Sequence, residues 1–128
     1  MDVSFECAAP ADVAWAVSSD LSLWPRWGPS VVAVEPAEGT VVAGLEGRVR
    51  TPVGVWLPFV VDTIEPGRRW TWRVAGVPAT GHRVDAATSS TSRLVIEVPL
   101  WAAAYAVVCH VGLRRLAGLV EQRHRDGS

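Results

Sequence analysis

Between Val31 and Val98 the chain reads as about six short apolar-alternating segments, each closed by proline, glycine or small polar residues. That succession constrains the fold more than any other feature. Leu45, Gly47 and Val49 alternate with Glu46, Arg48 and Arg50; Trp70, Trp72 and Val74 alternate with Thr71 and Arg73. Thr80, His82, Val84 and Ala86 alternate in turn with Gly81, Arg83 and Asp85. Period-two patterning with one wet face is the mark of antiparallel strands. The breaks at Pro36–Gly39, Thr51–Gly54, Glu65–Arg68, Gly76–Pro78 and Thr88–Ser92 are turns at hairpin spacing. Val31–Glu35, Val55–Glu65 and Leu94–Val98 complete the set, and Pro58 within the second of these predicts an edge or a bulge.

Before this series, Val3, Phe5 and Cys7 form an opening strand. Pro10 then suits the first position of a short helix, in which Val13, Ala16 and Val17 share a face. A second helical turn is expected near Asp20–Leu23. After the series, Pro99 starts one long helix, from Leu100 to about Arg123. Its apolar stripe is Trp101, Tyr105, Val108, Gly112 and Leu116, widened by Cys109, Leu113 and Val120. The tail Asp126–Ser128 is expected to fray. The order predicts an α+β fold: a curved antiparallel sheet of about seven strands wrapped around a long C-terminal helix, with two short helices after the first strand. At 128 residues it is read as one domain, 1–128.

Trp24-Pro25-Arg26-Trp27-Gly28-Pro29 is the stretch that fold alone explains least. Its prolines argue against any helix through it, and no central strand would accept it. Its two tryptophans carry apolar surface that must be placed, either as a lid or wall over an apolar interior or as a satellite core beneath a loop.

Net charge is −1, and all twelve basic residues are arginine, so nothing favours nucleic acid or an anionic membrane as a partner. Cys7 and Cys109 show no metal-ligand spacing and read as two buried thiols, with one long-range disulfide as the alternative. No metal or cofactor is expected, since His82, His110 and His124 also lack ligand spacing. The acidic, alternating N-terminus is not a signal peptide, and Val98–Cys109 is too short to span a bilayer; the expectation is a soluble, cytoplasmic protein, monomeric or homodimeric.

Taken together, Ala8–Trp15, Ser19-Asp20, Trp24–Trp27, Gly44–Val49, the Glu65-Pro66-Gly67 turn before Trp70–Val74, His82-Arg83, Thr91–Leu94 and the final helix resemble, in order and spacing, the START/polyketide-cyclase superfamily, the SRPBCC or helix-grip group, in its polyketide cyclase/dehydrase-like branch. The resemblance covers essentially the whole chain. It implies a hydrophobic cavity between sheet and long helix that takes a small hydrophobic molecule, lipid or polyketide. It names no catalytic residue.

On the residues themselves, Trp24, Trp27, Phe59, Trp72, His82, Tyr105 and Cys109 are the candidates for lining or closing that cavity. His82, placed by alternation on the concave face, is the candidate acid or base, against a structural role as a hydrogen-bonded core histidine. Three functions therefore stand: a binding protein for a small hydrophobic ligand, a polyketide cyclase, aromatase or dehydratase, and a non-enzymatic interaction module with a packed core.

Overall fold

A computed structural model describes residues 1–127; Ser128, the end of the tail expected to fray, lies outside the described residues. Seven strands form one antiparallel sheet: β1 Asp2–Cys7, β2 Ala33–Glu35, β3 Glu46–Arg50, β4 Trp56–Glu65, β5 Arg69–Val74, β6 Val77–Ala86 and β7 Ser92–Glu97. Their spatial order is β1-β7-β6-β5-β4-β3-β2. From β2 to β7 each strand lies beside its predecessor in sequence, as expected of hairpins. The first strand closes the far edge against β7, with Val3 opposite Ile96 and Cys7 opposite Ser92.

Two short helices follow β1: α1, Ala11–Ser18, and α2, Trp24–Trp27, joined by a 3₁₀ turn at Leu21–Leu23. The C-terminal helix α3 spans Ala106–Asp126 and packs on β1, β7, α1 and α2. Cys109, Leu113, Leu116, Ala117 and Val120 are its buried side chains. By length and composition Leu100–Asp126 is also apolar enough to cross a bilayer, yet this face is packed on the sheet. Gly112 lets the α2 loop approach: a Cβ there would meet Pro29 Cδ at 3.2 Å and the Trp27 carbonyl at 3.3 Å.

Several expectations are corrected. Trp24–Trp27 is a helical turn, because Pro25 occupies its first positions, where the missing N–H has no intrahelical partner to lose. Pro10 is the cap of α1, one residue before its start, and the buried face is Ala14, Val17 and Ser18, with Ala16 exposed. Strand β6 begins at Val77, since Ala75 and Gly76, at φ 52° and 77°, make a two-residue turn tighter than the break predicted.

The long helix is not continuous. Leu100–Tyr105 is 3₁₀ in character, with non-helical angles at Ala102 (φ −109°, ψ 21°). Alanine is the best of helix formers, so propensity does not break this segment. Position does: the chain leaves the end of β7 through Pro99 and crosses the open end of the sheet with no core beneath Trp101. That side chain, predicted on the inward stripe, is 70% exposed, and Tyr105 is 37% exposed.

Pro58 lies in an interior strand, although an edge or bulge was expected. Its carbonyl accepts from Ala75 N at 2.7 Å, just past the end of β5. The missing N–H therefore faces a stretch where β5 offers no ladder partner, since Trp56–Pro58 of β4 run past the end of β5. The bulge in β4 falls later, between Val61 and Thr63, and leaves Asp62 exposed to pair with Arg73 at 3.2 Å. Cys7 and Cys109 are free buried thiols, both raised to about 11 by burial.

Candidate functional site

Direct cross-strand pairing sets Trp70 opposite His82 and His82 opposite Ile96, so three strands contribute one row to the concave face. The imidazole stacks on Trp70, with ring centroids 4.5 Å apart. Trp27, from the last residue of α2, meets its edge at 6.0 Å, as does Trp72 from β5. Trp24 lies parallel to Trp70 at 6.2 Å and edge-on to Trp72 at 5.4 Å, while its Nε1 donates to the Ser18 carbonyl at 3.1 Å. The Trp-Pro stretch is thus not a satellite: its rings belong to the main core, as wall and not as lid.

A bulge between Thr71 and Arg73 shifts the pairing of β5 with β6 and brings Thr80 beside Trp72. Trp72 Nε1 donates to Thr80 Oγ1 at 3.2 Å, and Thr80 Oγ1 lies 3.0 Å from His82 Nε2. Burial pushes the imidazole down from 6.5 to about 4, against a weaker upward pull from Glu97. His82 is therefore neutral at neutral pH.

Two neighbouring spaces with shared lining residues open beside this cluster. The inner one, about 70 Å³, lies between the tryptophan–histidine group and α3. The outer one, about 450 Å³, runs from the ends of β3, β5 and β6 to the Leu100–Tyr105 segment. Val31, Trp72, Thr80 and Tyr105 border both, and no Asp, Glu, Lys or Arg lines either. Exposed Leu100 and Trp101 stand at the open end. The charged groups of this sheet lie on its other face, where Glu97 takes a two-pronged hydrogen bond from Arg69 and a further one from Arg83.

Of the residues singled out from the sequence, Trp24, Trp27, Trp72, His82, Tyr105 and Cys109 border the inner space. Phe59 does not; it is buried behind Trp24 and Trp72, at 5.8 and 5.5 Å. Tyr105 borders both spaces but stays partly exposed at the mouth, because the helix it was assigned to breaks at Ala102. Thr80 is not in that set, and neither is Trp70, which with Trp72 reads from the sequence as either cavity wall or core. The alternation that placed His82 on the concave face places Thr80 there too, so that signal was present. Trp70 shares the stripe of Trp72, but its pairing with His82 depends on the register of β5 against β6. Among the described residues no group of three or more His, Cys, Asp or Glu could hold a metal ion.

A family model described as polyketide cyclase/dehydrase and lipid transport matches residues 1–121. Among solved structures, an uncharacterised protein from Bacillus thuringiensis superposes with a TM-score of 0.70 at 16% identity, covering 94% of this chain and 97% of that one. The ZhuI aromatase/cyclase from Streptomyces sp. R1128 also gives 0.70 at 16% identity, with coverages of 96% and 93%. A START superfamily protein from Mycobacterium smegmatis gives 0.60 at 15% identity, with 100% and 98% covered. At such identities the likeness is one of fold. No curated protein matches the chain.

Proposed function

The chain belongs to the polyketide cyclase/dehydrase and lipid transport family, and on that premise we propose that it binds a small hydrophobic ligand, of lipid or aromatic polyketide type, between its sheet and α3. The observation that carries this reading is the two-part, uncharged, aromatic-walled space opening beside Trp101. Its outer part, about 450 Å³, falls within the range of small-molecule sites, which are mostly apolar with a few placed polar groups. Here those groups are Ser30, Thr51, Thr80, His82 and Tyr105. The inner part is too small for a ligand of its own, so a bound molecule rests in the outer space and reaches inward past Thr80.

Binding is favoured over catalysis by the state of His82. An imidazole held near 4 is a weak proton acceptor at neutral pH, and neither space has a carboxylate to assist it. A cyclase, aromatase or dehydratase activity would need the ligand to supply the reactive geometry and the walls to fold it. Native mass spectrometry of the purified protein, compared with the same sample denatured, tests the binding reading. A released apolar mass, or quenching of tryptophan fluorescence by a flat apolar probe, supports it. Neither signal across fatty acids, flavonoids and polyketides would overturn it.

A further inference from the structure

Only a third of the most apolar stretch within Leu100–Asp126 is buried. A helix at a protein surface in water turns its apolar side chains inward and its polar ones outward. Here Cys109, Leu113 and Leu116 are buried, yet the opposite side of the first turns of α3 carries Val107, 74% exposed, and Val111. Leu100 and Trp101 precede them, exposed at 82% and 70%. This outer stripe ends at Arg114 and Arg115, both exposed.

The loops beside it continue the same surface. In this antiparallel sheet the β3–β4 loop, the β5–β6 turn, the entry to β2 and the exit from β7 fall at one end, and the outer space opens there. Residues 27–34, 51–61, 74–81 and 98–109 hold no Asp, Glu, Lys, Arg or His. Val53, in the β3–β4 loop, is 85% exposed, and Val55 and Val77 are exposed with it. Among the described residues, only one exposed large apolar side chain, Val42, lies away from this end and the first turns of α3. Scattered apolar residues on a surface need no explanation, whereas a contiguous patch with a polar rim marks a docking surface.

The charges that border the patch indicate what covers it. Arg50 directly precedes the β3–β4 loop, and Arg114 and Arg115 stand about 10–12 Å along α3 from Val107. None of the three makes an ion pair among the described residues, while the acids at this end, Asp2 and Glu97, are taken by Arg83 and Arg69. The net charge of −1 averages this distribution away. Apolar and aromatic side chains in front, with unpaired cations a few turns behind, match the boundary between acyl chains and phosphates in a bilayer. A protein partner would need polar groups to meet across the interface, and this patch offers almost none. A second copy of the chain would bring the same arginines together with no acid between them.

We propose that the mouth end of the sheet and the outer side of the start of α3 form a docking surface for a phospholipid bilayer. Val53, Leu100, Trp101 and Val107 enter the headgroup–acyl boundary, and Arg50, Arg114 and Arg115 meet lipid phosphates. Docked in this way, the outer space opens onto the acyl layer, so an apolar ligand passes between membrane and protein without crossing water. The surface stands on its own exposed residues and does not depend on the ligand reading above.

Flotation of the purified full chain with vesicles of phosphatidylcholine, alone or with a minor fraction of phosphatidylglycerol, tests this. The protein is expected to float with both, more strongly with the anionic lipid and less as salt rises. Val53→Asp combined with Val107→Asp should weaken binding to both by at least about tenfold. Arg114→Gln combined with Arg115→Gln should weaken it about fivefold to tenfold on the anionic vesicles, and Val42→Asp should change nothing. Val53 and Val107 border neither space, so their variant should keep the affinity of the wild type for 2-ethylnaphthalene. Should the double variant not fold, Val53→Asp alone decides. No flotation of the wild type, or flotation unchanged in Val53→Asp, would overturn the docking surface, and so would a dimer in light scattering that the valine changes dissociate. Vesicle binding without binding of any apolar probe would strike the ligand reading and leave the docking surface in place.

Discussion

The imidazole of His82 lies face to face with the indole of Trp70, at 4.5 Å and an interplanar angle of 14°. Burial among these rings opposes protonation of the imidazole and outweighs the attraction of Glu97 across the sheet. The folded pKa, about 4, lies below the unfolded 6.5. Between those values the unfolded chain binds the proton and the native one does not. Stability contributed by neutral His82 is therefore complete above pH 6.5, falls as pH drops towards 4, and changes no further below that. At 1.36 kcal/mol per unit the loss is about 3 kcal/mol. Urea unfolding from pH 4 to 7 should show this slope, and His82→Phe should flatten it. An unchanged slope in the variant would assign the effect to other groups.

Glu97 titrates in a separate window. Hydrogen bonds from Arg69, then Arg83, hold its carboxyl below 4.5 against partial burial. Its contribution is present above 4.5 and is lost as pH falls through the folded value. Glu97→Ala leaves two guanidinium groups without their shared acceptor and should cost about 2 kcal/mol, with Glu97→Gln recovering part of it. Equilibrium unfolding at neutral pH reads both.

Trp24 and Trp101 should separate core from mouth. Trp24→Ala removes a ring packed on Trp70, Trp72 and Phe59 and should cost about 3–5 kcal/mol. Trp101→Ala removes an exposed ring and should change stability by no more than about 0.5 kcal/mol. Apolar probes that enter the outer space should nevertheless bind the Trp101 variant more weakly. If Trp101→Ala unfolds the protein, the break at Ala102 has been misread.

Both thiols should be inert in the folded protein. With Cys7 and Cys109 raised to about 11 by burial, little thiolate exists at pH 8 and neither sulfur is accessible. Ellman's reagent should titrate no thiol in native buffer and two after urea. Fast reaction without denaturant would mean that the region around β1 or the start of α3 opens readily.

The strands from Val31 to Val98 were legible because a half-buried strand writes its two faces into alternate residues, and turns write themselves in proline and glycine. The helix core was legible for a related reason: Cys109, Leu113, Leu116 and Val120 recur at helical spacing and are buried together. The concave face of β6, and with it His82, followed from alternation alone.

What alternation does not carry is register, bulges and the place where a regular element stops. Trp70 meets His82, and Thr80 meets Trp72, only because β5 and β6 pair with a shift between Thr71 and Arg73. Leu100–Tyr105 reads as a continuation of α3, yet only Ala102 of it packs against the core, so Trp101 turns outward and Tyr105 comes to the mouth. Local sequence specifies which face of an element is apolar. What that face meets, and whether an indole N–H on it finds an acceptor, is settled by neighbours distant in the chain, and only tertiary packing brings those together.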